Sequence, residues 1–98
     1  MRKVTVRLKQ SEINNGLRES PDKCPFGLAL KRLFPKCSVW LGWVLYTDGP
    51  CKVLLTCGEK SHSFMLPEHV NKKLCDWNNR GAELKRLQFT IEVPDDFE

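Results

Sequence analysis

The chain reads as a single α+β domain, and three patterns in its 98 residues carry that reading. Residues 3–9 and 88–93 alternate apolar and polar side chains with a period of two, as half-buried strands do. Two segments open on Pro25 and Pro67 and then place apolar residues three and four apart, as amphipathic helices do. Between them lie short apolar runs separated by Asp48-Gly49-Pro50 and Gly58-Glu59-Lys60, the pattern of a hairpin meander. The resulting order, β-α-β-β-(β)-α-β, suits a mixed or antiparallel sheet of four to five strands with two helices on one face.

Each element has its own signature. In the first strand Val4, Val6 and Leu8 share one face, while Lys3, Thr5, Arg7 and Lys9 share the other. That basic stripe reads chiefly as a charged edge that discourages strand-to-strand aggregation, with a partner surface as the second reading. Residues 11–16 suit one helical turn closed by Gly16, and residues 18–23 form a polar loop with a Ser20-Pro21-Asp22 turn signal. The first full helix spans 25–34, with Phe26, Ala29, Leu30 and Leu33 on its apolar face and Pro35 as its stop. Residues 37–46 are apolar on both faces, which predicts a central strand. Within it Trp40 and Tyr46 are expected in the core; the alternative is an uncovered aromatic platform. Strands at 51–57 and 62–66 follow, then a helix from Pro67 to Gly81 with Val70, Leu74 and Trp77 on one stripe. A last strand, 88–93, turns Phe89, Ile91 and Val93 inward. Residues 1–94 form the compact domain, and 95–98 read as a frayed acidic tail.

Composition narrows the function classes. The start alternates charged and apolar residues without the apolar run of a secretory signal, and no stretch is long enough to span a bilayer, so a cytoplasmic protein is expected. The net charge of +4 is uneven: residues 1–49 carry nine Lys and Arg against four acids, residues 50–98 seven against eight. Such asymmetry suits nucleic acid or an acidic protein partner, and equally an ordinary solvated face. Five cysteines, at 24, 37, 51, 57 and 75, form no Cys-x-x-Cys pair, so reduced thiols are expected. Cys57, His62, His69 and Cys75 are the best metal candidates, yet their spacing matches no common ligand pattern and no metal is expected.

Cys24 stands at the N-cap of the first full helix, where Ser, Thr, Asp or Asn is usual. It is either a small core residue or a thiol activated by the positive end of the helix. No base or orienting group is visibly placed beside it, and no Gly-x-Gly-x-x-Gly or phosphate-gripping loop occurs, so neither catalysis nor a cofactor is expected. An RNA-recognition domain would share the element order, but Lys52-Val53-Leu54-Leu55-Thr56 lacks that fold's glycines and aromatics.

Cys24-Pro25-Phe26-Gly27-Leu28-Ala29-Leu30-Lys31-Arg32, preceded by Ile13-Asn14-Asn15-Gly16 and followed far downstream by Phe89-Thr90-Ile91, resembles a group of small, largely uncharacterised proteins of bacteriophages and prophages. Those proteins share a Cys-Pro-x-Ala-Leu-Ala-Leu-like helix start and a terminal Phe-x-Phe-like strand. Here Gly27 stands where alanine is usual and Ile91 replaces an aromatic. The resemblance implies a non-catalytic protein that binds a host protein in the host cytoplasm, as a modulator of host machinery or an inhibitor of a defence system. Nucleic-acid binding is the rival. The surface for either is sought at Arg7, Lys9, Arg18, Lys23, Lys31, Arg32 and Trp40, and an exposed aromatic strand face would also suit a homodimer seam.

Overall fold

The computed structural model describes residues 1–42 and 51–97. It is an α+β fold with the elements β1 (Arg2–Arg7), α1 (Gln10–Asn15), α2 (Pro25–Leu33), β2 (Ser38–Gly42), β3 (Lys52–Cys57), β4 (Lys60–Met65), α3 (Glu68–Arg80) and β5 (Gln88–Val93). The strands form two antiparallel sheets rather than one: β1 pairs with β5, and β2, β3 and β4 form a meander. The expected continuation of the second strand through Trp43, Val44, Leu45 and Tyr46, and the turn at Asp48-Gly49-Pro50, lie outside the described residues.

The chain termini close the first sheet. Val4 lies opposite Ile91 and Val6 opposite Phe89, so the inward residues of the two strands meet as cross-strand pairs. Phe89 in turn meets Phe26 of α2 edge to face at 5.9 Å. In the meander, Val39 lies opposite Leu55 and Leu41 opposite Val53, all buried. Gly58 opens the two-residue turn between Cys57 and Lys60 with φ of +64°, the conformation a II′ hairpin requires at that position.

α2 lies against both β1 and β2 and so joins the two sheets. It starts as the sequence requires: Cys24 is the N-cap, Pro25 occupies the first turn, and Leu28 N–H donates to the Cys24 carbonyl at 2.9 Å. Phe26, Ala29 and Leu30 are fully buried. Gly27 is a matter of space. A Cβ there would lie 2.4 Å from the Asp22 carbonyl oxygen, because the turn before the helix folds back onto its first residues. That turn is itself tied to β2, whose Leu41 N–H donates to Pro21 O at 2.8 Å.

α3 buries Val70, Leu74 and Trp77 as its stripe predicts and ends at Gly81. Polar clasps hold it. Asn71 Oδ1 accepts from Cys51 N–H at 3.0 Å, and Asn78 Oδ1 from Glu19 N–H at 2.7 Å. Glu19 takes a positive φ of 59° to make that approach.

Two expectations are overturned. β2 is an edge strand, and β3 is central; within the described residues β2 alternates strictly, with Val39 and Leu41 buried and Trp40 exposed. Asp96 and Phe97 of the expected tail are not frayed either. Phe97 is buried against His62 at 6.0 Å between ring centres, its carbonyl accepts from Arg2, and Asp96 pairs with Lys60.

Candidate functional site

The basic residues singled out in the sequence do not gather into one patch. Arg32 is a structural cation: its guanidinium holds Glu12 at 2.9 Å and donates to the Arg7 carbonyl at 2.7 Å. Glu12 is buried and also accepts from Lys9 N–H at the start of α1. Arg18 lies 4.7 Å above the centre of the Trp77 ring and donates to Trp77 O at 3.0 Å, a cation–π contact that fastens the 17–23 loop to α3. Lys31 donates to Cys37 O at 2.7 Å.

The remaining candidates divide between two clefts. Lys23 and Lys31 border an apolar cleft of about 300 Å³, with Asp22, Leu28, Ser38 and Val39 as its other walls. On the other sheet Arg7 donates to Gln88 Oε1 at 3.2 Å and lines, with Leu8, Arg86, Leu87 and Gln88, an open cleft of about 400 Å³. Lys9 is exposed just beyond the end of β1. Lys3 of the basic stripe lies opposite Glu92, so the stripe is in part neutralised by its own sheet.

Cys24 is wholly buried, and burial, the largest influence, pushes its thiol up from 9.0 to about 11 despite backbone N–H groups of the helix start that act the other way. At neutral pH it is a protonated core thiol. Burial pushes Cys51 further, to about 12, with Cys24 and Cys75 nearby adding to the shift. The metal candidates are dispersed. Cys57 is bonded to Cys37, His62 Nε2 meets Glu92 O at 2.9 Å, and His69 is exposed. No group of three or more His, Cys, Asp or Glu able to hold a metal occurs among the described residues.

The Cys37–Cys57 disulfide corrects the expectation of five reduced thiols. It joins the two residues directly beyond the Ser38–Thr56 pair, with 4.3 Å between their Cα atoms. Cysteine spacing alone does not reveal it; the strand register does.

Trp40 reverses the expectation of a core role. Half its surface is exposed (50%), as is that of Met65 (50%), with Leu54 at 37%. Register puts them on one face: Trp40 lies opposite Leu54, and Met65 is one diagonal step from Leu54 on β4. Ser38, Gly42, Lys52, Thr56, Ser61 and Ser63 complete that face, so among the described residues of these strands Lys52 is its one charge. The outcome is a nearly uncharged surface among the described residues, with a large aromatic side chain exposed on it, on the opposite face of β2 from Val39. Among the described residues no helix is long and apolar enough to cross a membrane. No family model, no curated protein and no solved structure matches the chain.

Proposed function

We propose that the chain is a small non-catalytic binding protein that docks a protein partner on the outer face of the β2–β3–β4 sheet, with Trp40 as the anchor. The observation that carries this reading is the contiguous exposure of Trp40, Leu54 and Met65 on one sheet face. Tryptophan and methionine are enriched at protein interfaces, and half-exposed aromatics dominate binding energy when a partner covers them. The phage-type helix start at residues 24–32 supports a host protein as the partner, in the manner of host-modulating or defence-inhibiting phage proteins. Among the described residues a single lysine and no acid stand on the face, which favours an apolar partner surface with an acidic rim over a second copy of the same chain.

Nucleic-acid binding draws its support from the open cleft that Arg7 and Arg86 line and from nearby Lys9. Phosphate contacts are the natural use of such a groove. Trp40 stands on the other sheet, so stacking and phosphate contacts would not coincide.

Affinity capture from bacterial lysate separates the readings. The tagged chain, its Trp40→Ala variant and its Arg7→Glu/Arg86→Glu variant are compared with and without nuclease, and the oligomeric mass is recorded. A protein retained after nuclease, lost with Trp40→Ala and kept by the charge-reversed variant meets the expectation. Recovery of nucleic acid that disappears with charge reversal or rising salt would transfer the function to the cationic cleft. Concentration-dependent dimerisation abolished by Trp40→Ala would make a second copy the occupant.

A further inference from the structure

We propose that Cys37–Cys57 is a reversible thiol–disulfide site that a dithiol reductant opens by attack at Cys57, without unfolding the domain. The proposal is independent of the docking reading.

Strand register supplies the first argument. Leu41 N–H points off the sheet edge to Pro21 O. Residues of the same parity along β2, Val39 and then Cys37, therefore also turn their backbone groups away from β3, and Ser38, Trp40 and Gly42 face it. Cys37 and Cys57 thus occupy a non-hydrogen-bonded pair, for which a Cα separation near 4.5 Å is normal; theirs is 4.3 Å. Opening the disulfide removes no bond of the sheet ladder. The two thiols stay face to face, held by the Ser38–Thr56 and Trp40–Leu54 pairs, and can close again.

The two sulfurs are not equivalent. Cys37 is wholly buried, while Cys57 is partly exposed at the mouth of the Gly58 turn, so an external thiolate reaches Cys57. Cys37 is then the leaving group; its burial disfavours the thiolate, and the Lys31 ammonium, which donates to the Cys37 carbonyl oxygen at 2.7 Å, is the cation that offsets this. A nearby cation stabilises a leaving thiolate and speeds exchange. The chain's other thiols, Cys24, Cys51 and Cys75, are buried, and burial holds the first two protonated, so they do not intercept the mixed disulfide.

The chemistry balances as a two-electron exchange. One thiolate of the reductant attacks Cys57 Sγ, a new S–S bond forms and the Cys37–Cys57 bond breaks, and Cys37 leaves as thiolate and takes a proton. The second sulfur of the reductant, as thiolate, attacks its own mixed-disulfide sulfur and expels the Cys57 thiolate, which takes the second proton. The reductant departs as a cyclic disulfide, and the protein holds two thiols.

The test uses the full chain, oxidised, exposed to dithiothreitol under native conditions, quenched with N-ethylmaleimide and analysed by mass and peptide mapping. The expected result is two added labels, on Cys37 and Cys57, with the near-ultraviolet circular dichroism unchanged and the bond restored by oxidised glutathione. Lys31→Met should slow opening by roughly threefold to tenfold. Three results would overturn the proposal: labels that appear only in denaturant, all five cysteines labelling together, or two thiols that never pair under oxidised glutathione. An opening rate unchanged in Lys31→Met would overturn the assignment of Cys37 as leaving group.

Discussion

Replacing Gly27 with alanine should destabilise this protein, although the same change inside most helices is stabilising by about 1 kcal/mol. The added Cβ would lie 2.4 Å from the Asp22 carbonyl oxygen and 2.7 Å from its carbon, both backbone atoms that no side-chain rotation can remove. Relief to ordinary contact needs a shift of about 1 Å between α2 and the preceding turn. That turn is held by Leu41 N–H to Pro21 O at 2.8 Å, Leu17 N–H to Lys23 O at 2.8 Å and Lys23 N–H to Ser20 Oγ at 3.0 Å. Overpacking of this kind costs about 1–3 kcal/mol, and each weakened hydrogen bond about 1 kcal/mol more. After the helix-propensity gain, a net loss of about 2–3 kcal/mol remains. For a domain of this size that is a fall in Tm of roughly 8–24 °C. Urea unfolding followed by circular dichroism measures it as a lower midpoint at unchanged slope. A variant as stable as the parent, or more stable, would refute the close approach of the turn to α2.

Three further outcomes follow from the same structure. Glu12→Gln should cost about 2–3 kcal/mol, because it leaves the Arg32 guanidinium without its counter-charge beside a buried side chain; thermal unfolding measures the loss. Arg18→Ala should cost about 1–2 kcal/mol by removing the cation–π contact and the bond to Trp77 O, and Arg18→Lys should recover only part of it; a stability equal to that of the parent would show that the 17–23 loop is not held by this contact. Stability should decline as pH rises from 9 towards 12: Cys24 and Cys51 keep their protons in the folded state after the unfolded chain has lost them, so their contribution is full below pH 9 and lost as the pH passes their folded values of about 11 and 12. At the other end, the Lys60 hydrogen bond lowers the Asp96 pKa, so that pair's contribution is present above the usual carboxylate range and fades as the pH falls through its lowered value; denaturant midpoints across pH report both.

Much of the fold was legible because local patterns carried it. The alternation Phe89, Ile91, Val93 and the stripe Val70, Leu74, Trp77 each specify one buried face, and the structure buries those residues. Pairing was not legible. β1 and β5 are brought together from opposite ends of the chain, and no turn residue encodes that partnership, so the division into two sheets had no local signal. Trp40 misled for a related reason: the aromatic-rich stretch that follows it suggested a strand covered on both sides, whereas β2 alternates and lies at an edge.

The site was legible only in outline. Cations are placed at the surface by default, so Arg18, Lys31 and Arg32 looked available in the sequence. Their acceptors, Trp77 O, Cys37 O and Glu12, lie 59, 6 and 20 residues away, and only the folded chain shows that these side chains are already engaged. Cys24 shows the opposite competition: the helix start favours thiolate, but burial outweighs it. Asp96 and Phe97 sit in what reads as an acidic tail, yet the buried Phe97 ring, the Arg2 hydrogen bond to its carbonyl and the Lys60–Asp96 ion pair dock it.

The most direct test of the central claim is carbene footprinting of this chain with the protein it retains from lysate after nuclease treatment. The account predicts protection of Trp40, Leu54 and Met65, with Arg7, Lys9 and Arg86 labelled as in the free chain. Protection confined to Arg7, Lys9 and Arg86, with Trp40 unchanged, would contradict it.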